Sequence, residues 1–150
     1  MRFQQYINEL LKVNPKLVKV VGRGKEYVEY ESVDFVGDPK DELEVTVAMQ
    51  KDVESWEVLF ALYGNYQGEF PDTTVKETIQ ILNIVISAID DWLKKVKPDV
   101  FFFSEETSLK GGFKLYKKFA QQIVKRHPYK QVRHPHPKIF KFQRINNEIL

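Results

Sequence analysis

Apolar and polar positions follow several rhythms along the chain, and each predicts an element. Phe3, Tyr6, Ile7, Leu10 and Leu11 recur at helical spacing, which predicts an amphipathic helix over about residues 2–13. Asn14-Pro15 ends it, because a residue before proline avoids the helical region. Leu17–Val21 reads as a strand. Glu26–Val36 alternates around Tyr27, Tyr30, Val33 and Phe35, with a slip near Glu31-Ser32 that suggests a bulge. Gly37-Asp38-Pro39 marks a turn. Leu43, Val45, Val47 and Met49 alternate strictly, so that strand has one buried and one wet face. Trp56–Tyr63 reads as a fourth strand, and the short connections favour an antiparallel meander.

The rhythm then lengthens. Val75, Ile79, Leu82, Val85, Ile86, Ile89, Trp92, Leu93 and Val96 form a wide helical stripe, extended by Ile81 and Ile84. Thr74-x-x-Glu77 opens this helix as a capping box, and Pro98 closes it. Val100–Phe103 is a short continuous apolar run, which predicts a strand buried on both faces. Leu115, Tyr116, Phe119, Ala120, Ile123 and Val124 predict another amphipathic helix, ending near Arg126-His127-Pro128. A final strand pair fits Lys130–Arg133 and Lys138–Arg144. The predicted order is α-ββββ-α-β-α-ββ: an α/β (α+β) domain spanning 1–150, with a mixed, mostly antiparallel sheet and about three helices on its faces.

Composition narrows the classes. A chain of 150 residues buries roughly 70% of its unfolded surface, so it needs no disulfide or metal staple. Cys is absent, which excludes thiolate ligands and a Cys nucleophile. The most apolar stretch, Ile79–Ile89, is too short and too polar for a membrane span. The N-terminus carries no apolar run of signal-peptide length, so the expectation is a cytoplasmic protein that is not secreted and has no membrane partner.

Charge changes the picture more. Residues 1–75 hold 8 Lys/Arg and 14 Asp/Glu, whereas residues 76–150 hold 15 and 7. Thr107–Asn147 contains 11 Lys/Arg, three His and no acid. Lys110, Lys114, Lys117, Lys118, Lys125, Arg126 and Arg133 are the candidate partner-binding residues, for an acidic protein or a nucleic acid. Phe113, Tyr129 and Phe140 lie among them as candidate stacking rings. The alternative is that this segment packs beside the acidic half and the surface is mixed. Opposite charges on the two halves also allow a homo-oligomer assembled by charge complementarity.

His134-Pro135-His136-Pro137, with His127 upstream, is the histidine cluster, and His-x-His on an extended chain can take Zn²⁺. With no acid nearby and cations around it, it reads as a stiff loop instead, so no metal is expected. Ser104-Glu105-Glu106 reads as the approach to the next helix rather than a carboxylate pair. Gly22-Arg23-Gly24-Lys25 reads as a hairpin turn rather than a phosphate loop.

The segment Phe60–Tyr63, Thr74–Lys97, Val100–Phe103, followed by Lys114-Leu115-Tyr116-Lys117-Lys118-Phe119, resembles the GNAT acetyltransferase fold. Lys97-Pro98-Asp99-Val100, Phe103-Ser104-Glu105-Glu106 and Lys114-Leu115-Tyr116 together also resemble a group of uncharacterised proteins from tailed bacteriophages. The first resemblance implies acetyl-CoA as cofactor, Tyr116 as general acid, and a pyrophosphate turn around Gly64 and Gly68. The second implies a GNAT-like protein of the host cytoplasm with unassigned activity. The stretch Tyr63–Asp72 departs from the family's Gln/Arg-x-x-Gly-x-Gly/Ala spacing, and Glu69 and Asp72 put negative charge where a pyrophosphate would sit. The expectation is therefore a non-catalytic accessory protein without a cofactor, binding an acidic partner through its basic C-terminal third. The alternatives are an acyl-CoA-dependent N-acyltransferase and a structural oligomer.

Overall fold

Seven strands form one sheet in the order β1-β2-β3-β4-β5-β7-β6. The computed structural model describes residues 12–34, 36, 43–64, 74–104 and 112–145. The strands are β1 (Val18–Gly24), β2 (Tyr27–Ser32), β3 (Leu43–Lys51), β4 (Trp56–Gly64), β5 (Val100–Ser104), β6 (Tyr129–Val132) and β7 (Ile139–Arg144). The helices are α1 (Val75–Val96) and α2 (Gly112–Arg126). Every strand pair is antiparallel except β4–β5. The architecture is thus mixed α/β with a mostly antiparallel sheet and two helices among the described residues, where three were expected. The expected first helix falls outside them except for Lys12 and Val13, which are not helical. The turn at 37–39 also lies outside.

Both helices cover the same face. Trp92 of α1 meets Phe101 edge-on at 5.6 Å, and Phe119 of α2 meets Phe103 at 5.3 Å. Phe101 and Phe103 are two residues apart on one strand, so they point the same way. The reason lies in the connections: β4-α1-β5 and β5-α2-β6 step in the same direction across the sheet. Two crossovers of the usual right-handed sense then put both helices on one side. This corrects two expectations. No described helix covers the second face, and β5 is fully buried only at Phe101 and Phe103, while Val100 and Phe102 are half-buried.

The core follows from alternation. Val45, Val47 and Met49 of β3 are completely buried, joined by Val28 and Tyr30, Trp56 and Val58, and Phe140 and Phe142. In β2 the inward set is Val28, Tyr30 and Ser32, so alternation continues through Ser32 and no bulge occurs there. Ser32 takes an inward place because its hydroxyl accepts the buried Val45 N–H at 3.0 Å. The register shift lies instead in β1, between Val20 and Gly22.

Helix α1 is buried on most sides, as its wide stripe predicts. Its capping box forms: Thr74 Oγ1 accepts the Glu77 N–H at 3.1 Å, and Glu77 Oε1 accepts the Thr74 N–H at 2.9 Å. The polar breaks in its apolar run hold the chain that precedes β1. Asn83 Oδ1 accepts the Lys12 N–H at 3.0 Å, and Ser87 Oγ accepts the Asn14 N–H at 2.9 Å. Asn14 then caps the 3-10 turn Pro15–Leu17. At the far end Lys97 turns left-handed (φ 53°) before Pro98. No helix among the described residues is long and apolar enough to cross a membrane.

Candidate functional site

The parallel junction comes first, because open α/β sheets take ligands where the strand order switches, beyond the carboxyl ends of the strands. Strands β4 and β5 register only at Trp56↔Phe101 and Glu57↔Phe102. Beyond Glu57, β4 runs on to Gly64 while β5 pairs with β7. Gly64 therefore ends β4 at the mouth of this junction, opposite Leu43 of β3. Gly68, Glu105 and Glu106 lie outside the described residues. Tyr116 stands just inside α2, near the end of β5, with 1% of its surface exposed. Its ring lies 6.3 Å from Phe103 and 6.1 Å from Phe140, in the layer between α2 and the sheet.

The strand order decides how the charges are arranged. Glu29 and Glu31 of β2 lie toward one edge, where β1 adds Lys19 and Arg23, and β7 and β6 form the other edge. From β2 to β7 is four strand spacings, about 19 Å. That is more than two screening lengths at physiological salt, where the length is about 8 Å. The C-terminal basic residues therefore stand apart from the β2 glutamates, while Glu57 of β4 lies two strand spacings from Lys141. Lys117 and Lys125 are exposed on α2, Lys118 is half-buried, and Arg133 is exposed after edge strand β6. Lys130, Lys138 and Arg144 add to the same edge. Lys110 lies outside the described residues, as does the Lys114 side chain.

Arg126 departs from this group. Its guanidinium turns toward Asp90 of α1, with Nη2 at 3.3 Å and Nε at 3.4 Å from Oδ1. The same oxygen meets His127 Nε2 at 2.8 Å, and Lys94 Nζ is 3.1 Å from Oδ2. The Asp90 side chain is only 7% exposed. Burial pushes its carboxyl up, but the Lys94 hydrogen bond and the charges of His127, Lys94 and Arg126 outweigh it and hold the pKa below the usual range. Burial is also the largest influence on His127; with Arg126 and Lys94 it lowers that pKa against the pull of Asp90. When neutral, the ring can donate from Nε2 to Asp90, and when protonated it adds to the charges that hold Asp90 low. The cluster ties the end of α1 to the end of α2. The sequence signal for it was an acid, Asp90, set between the apolar Ile89 and Trp92-Leu93.

Two of the candidate stacking rings are corrected. Tyr129 and Phe140 are 2% and 4% exposed, because alternation turns them to the helix-covered face. The Tyr129 hydroxyl donates to Pro98 O at 2.5 Å, and burial pushes its pKa up to about 12, with Asp99 adding and Arg144 opposing. The Phe113 side chain lies outside the described residues. The histidine loop is held by its own rings: His134 Nδ1 accepts the His136 N–H at 3.0 Å, and His136 Nδ1 accepts the Lys138 N–H at 3.2 Å. Among the described residues no group of three or more His, Asp or Glu is placed to hold a metal ion.

At the opposite end of the sheet, Arg23 and Lys25 line a cavity of about 170 Å³ with Tyr30, Trp56, Trp92 and Lys95. Gly24 closes β1 and Lys25-Glu26 make the turn to β2, so the hairpin expected at Gly22–Lys25 turns two residues later. The Tyr30 hydroxyl is occupied, donating to Asp91 Oδ2 at 2.7 Å, and Lys95 reaches the same oxygen at 3.0 Å. The buried Trp92 Nε1 has no hydrogen-bond partner among the described residues. Its edge-on neighbours Trp56 and Phe101 offer aromatic rings, which accept only weakly.

No family model, curated protein or solved structure matches the chain.

Proposed function

We propose that this chain is a non-catalytic binding protein on a GNAT-like scaffold, engaging an acidic partner, protein or nucleic acid, through its basic C-terminal third. The observation that carries the reading is the separation of charge across the sheet. The cations of α2 and β6 gather toward one edge of the sheet, and β6 lies five strand spacings from Glu29 and Glu31 of β2. With Tyr129 and Phe140 buried, the attraction rests on charge rather than on stacking. The binding surface we assign comprises Lys117, Lys118, Lys125, Lys130 and Arg133. An accessory role of the kind encoded by tailed bacteriophages, in the host cytoplasm, rests on the short sequence resemblance alone. The scaffold reading draws support from the element order and from the single parallel pair β4–β5.

A second reading, an acyl-CoA-dependent N-acyltransferase with Tyr116 as general acid, draws on the parting of β4 and β5 after two register pairs. The buried ring of Tyr116 between Phe103 and Phe140 supports it less. One experiment separates the two readings. Binding to an acidic polymer (a homopolynucleotide or a polyglutamate) is measured across a salt series, beside thermal melting with acetyl-CoA. The first reading expects log affinity to fall linearly with log salt and no thermal shift. A clear shift with acetyl-CoA and salt-independent binding would establish the second and sink the first.

A further inference from the structure

Strand β6 ends the sheet with its outer side open. The Ile145 N–H donates to Pro128 O at 2.7 Å, while the Arg144 N–H donates the other way, to Asp99 O at 2.8 Å. Bonded and non-bonded pairs alternate along an antiparallel ladder. With the register Lys130↔Gln143 and Val132↔Lys141, Lys130 and Val132 therefore turn their backbone groups to β7, and Tyr129 and Gln131 turn theirs outward. His127 O takes up the Tyr129 N–H at 2.7 Å. The Tyr129 C=O and both backbone groups of Gln131 then face away from the sheet, with no backbone partner among the described residues. Gln131 points to the helix-covered side, as Tyr129 does, yet it is exposed, so α2 does not roof this edge.

The two edges of the sheet differ. Strand β1, at the other edge, is interrupted by the register shift between Val20 and Gly22, and its Lys19 stands beside Glu31. An irregularity of that kind blunts an edge against pairing. Strand β6 runs along β7 without a shift. Lys130 and Gln131 are exposed on it, Arg133 follows, Lys125 and Lys138 are exposed in the flanking chain, and no acid occurs between Thr107 and Asn147. A second copy of β6 would set lysine against lysine, whereas an acidic strand would meet opposite charge.

We propose that β6 takes up an acidic peptide as an added antiparallel strand, paired to the backbone of Tyr129 and Gln131 with its acids opposite Lys130. The proposal rests on the acidic-partner reading and narrows that partner to an extended peptide. Gln131 N–H and C=O form a bonded pair with one peptide residue, whose two neighbours stand opposite Lys130 and Val132. Those neighbours lie on the open face of the sheet, the side to which Lys130 points because Tyr129 points inward. Acids at every second residue therefore share a face with Lys130. A nucleic acid offers phosphates to the lysines but no repeating backbone donor and acceptor to match this edge. Main-chain bonds set the register, and charge sets which peptides enter.

The test titrates the full chain into a fluorescein-labelled heptapeptide of alternating Glu and Thr and reads anisotropy at low salt. Two further versions carry N-methyl groups on the Thr amides or on the Glu amides, so all three have the same charge. With Glu opposite Lys130, the Thr amides face β6 and the Glu amides face away. The Thr-methylated peptide is expected to bind at least about tenfold more weakly than the Glu-methylated one, since one main-chain bond is worth up to about tenfold and several are lost. Hydrogen exchange at the Gln131 amide should slow at least about tenfold at saturation with the unmodified peptide. Equal affinities for the two methylated peptides, the reverse order, or unchanged Gln131 exchange overturn the strand addition. If all three peptides bind alike and weaken together with salt, the acidic-partner reading stands while the strand addition falls. An oligonucleotide of equal charge that binds more tightly than the unmodified peptide assigns the surface to nucleic acid and overturns the peptide. No binding of either at low salt sinks both readings.

Discussion

His127 Nε2 lies 2.8 Å from Asp90 Oδ1, joining residues 37 apart in sequence at the shared end of two helices. The pair fixes a sign for the pH dependence of stability. His127 is held below its ordinary value by burial, so between its folded pKa and about 6.5 the unfolded chain binds more protons. Stability therefore falls as pH drops through that window. Asp90 is held below the ordinary carboxylate range, so its contribution, present above the unfolded value near 4, is lost as pH falls further. Urea midpoints measured from pH 8 to pH 3 should decline throughout. His127→Gln should flatten the arm just below neutrality; an unchanged slope there would assign it to another group. Asp90→Asn leaves three cationic or hydrogen-bonding groups around a neutral amide, at a cost of about 2 kcal/mol after discounting for the exposed Lys94 and Arg126.

Ser32 is expected to be worth more than its size suggests. Its hydroxyl is the partner of the Val45 N–H, and both residues are buried. Ser32→Ala deletes the acceptor and leaves a buried donor unpaired, a loss of about 1–3 kcal/mol. Thermal melting should show a drop of several degrees in a domain of this size. Ser32→Thr keeps the oxygen and serves as the control. Equal melting points for Ser32→Ala and the wild type would mean that the Val45 N–H finds water or another acceptor.

Lys97 ends α1 in the left-handed region at φ 53°, the only non-glycine with positive φ among the described residues. A side chain there strains the backbone, and glycine does not. Lys97→Gly is expected to be neutral to stabilising by up to about 1 kcal/mol, although glycine elsewhere in a chain usually costs stability. Lys97→Val, β-branched at the same φ, should destabilise. Chemical denaturation of the two variants checks the sign, and a destabilised Lys97→Gly would place the contribution in the lysine side chain instead.

Local rules made much of the fold legible. Val45, Val47 and Met49 declared a one-sided strand because one face is wet, and Thr74-x-x-Glu77 declared the start of α1 because a capping box is a contact within four residues. Inward polar residues broke the reading. Ser32 takes an inward place that alternation reserves for apolar residues, so the sequence of β2 shows a slip that the strand does not have, and the basic residues around Tyr129 and Phe140 mask their side of the strand. The choice between a mixed and a divided surface could not be made locally. It depends on β7 inserting between β5 and β6, a pairing set by long-range packing. Arg126 shows the same limit at the site. In sequence it is one cation among many, and only the packing of α1 on α2 gives it Asp90.

Arg126 and its neighbour Lys125 should therefore separate stability from binding. They are adjacent in sequence and carry the same charge. Lys125 is exposed and belongs to the binding surface we propose, whereas Arg126 donates to the buried Asp90 at 3.3–3.4 Å. Lys125→Gln is expected to leave the melting temperature within experimental scatter and to weaken binding of an acidic polymer by a few-fold at low salt, as loss of one charge contact does. Arg126→Gln is expected to do the reverse, lowering stability by about 1 kcal/mol and affinity little, because a half-exposed guanidinium beside a buried carboxylate acts within the fold. Salt titrations and melts on the same two proteins check both halves. If Arg126→Gln weakened binding as much as Lys125→Gln while leaving stability untouched, the Asp90 contact would not hold in solution, and Arg126 would return to the binding surface.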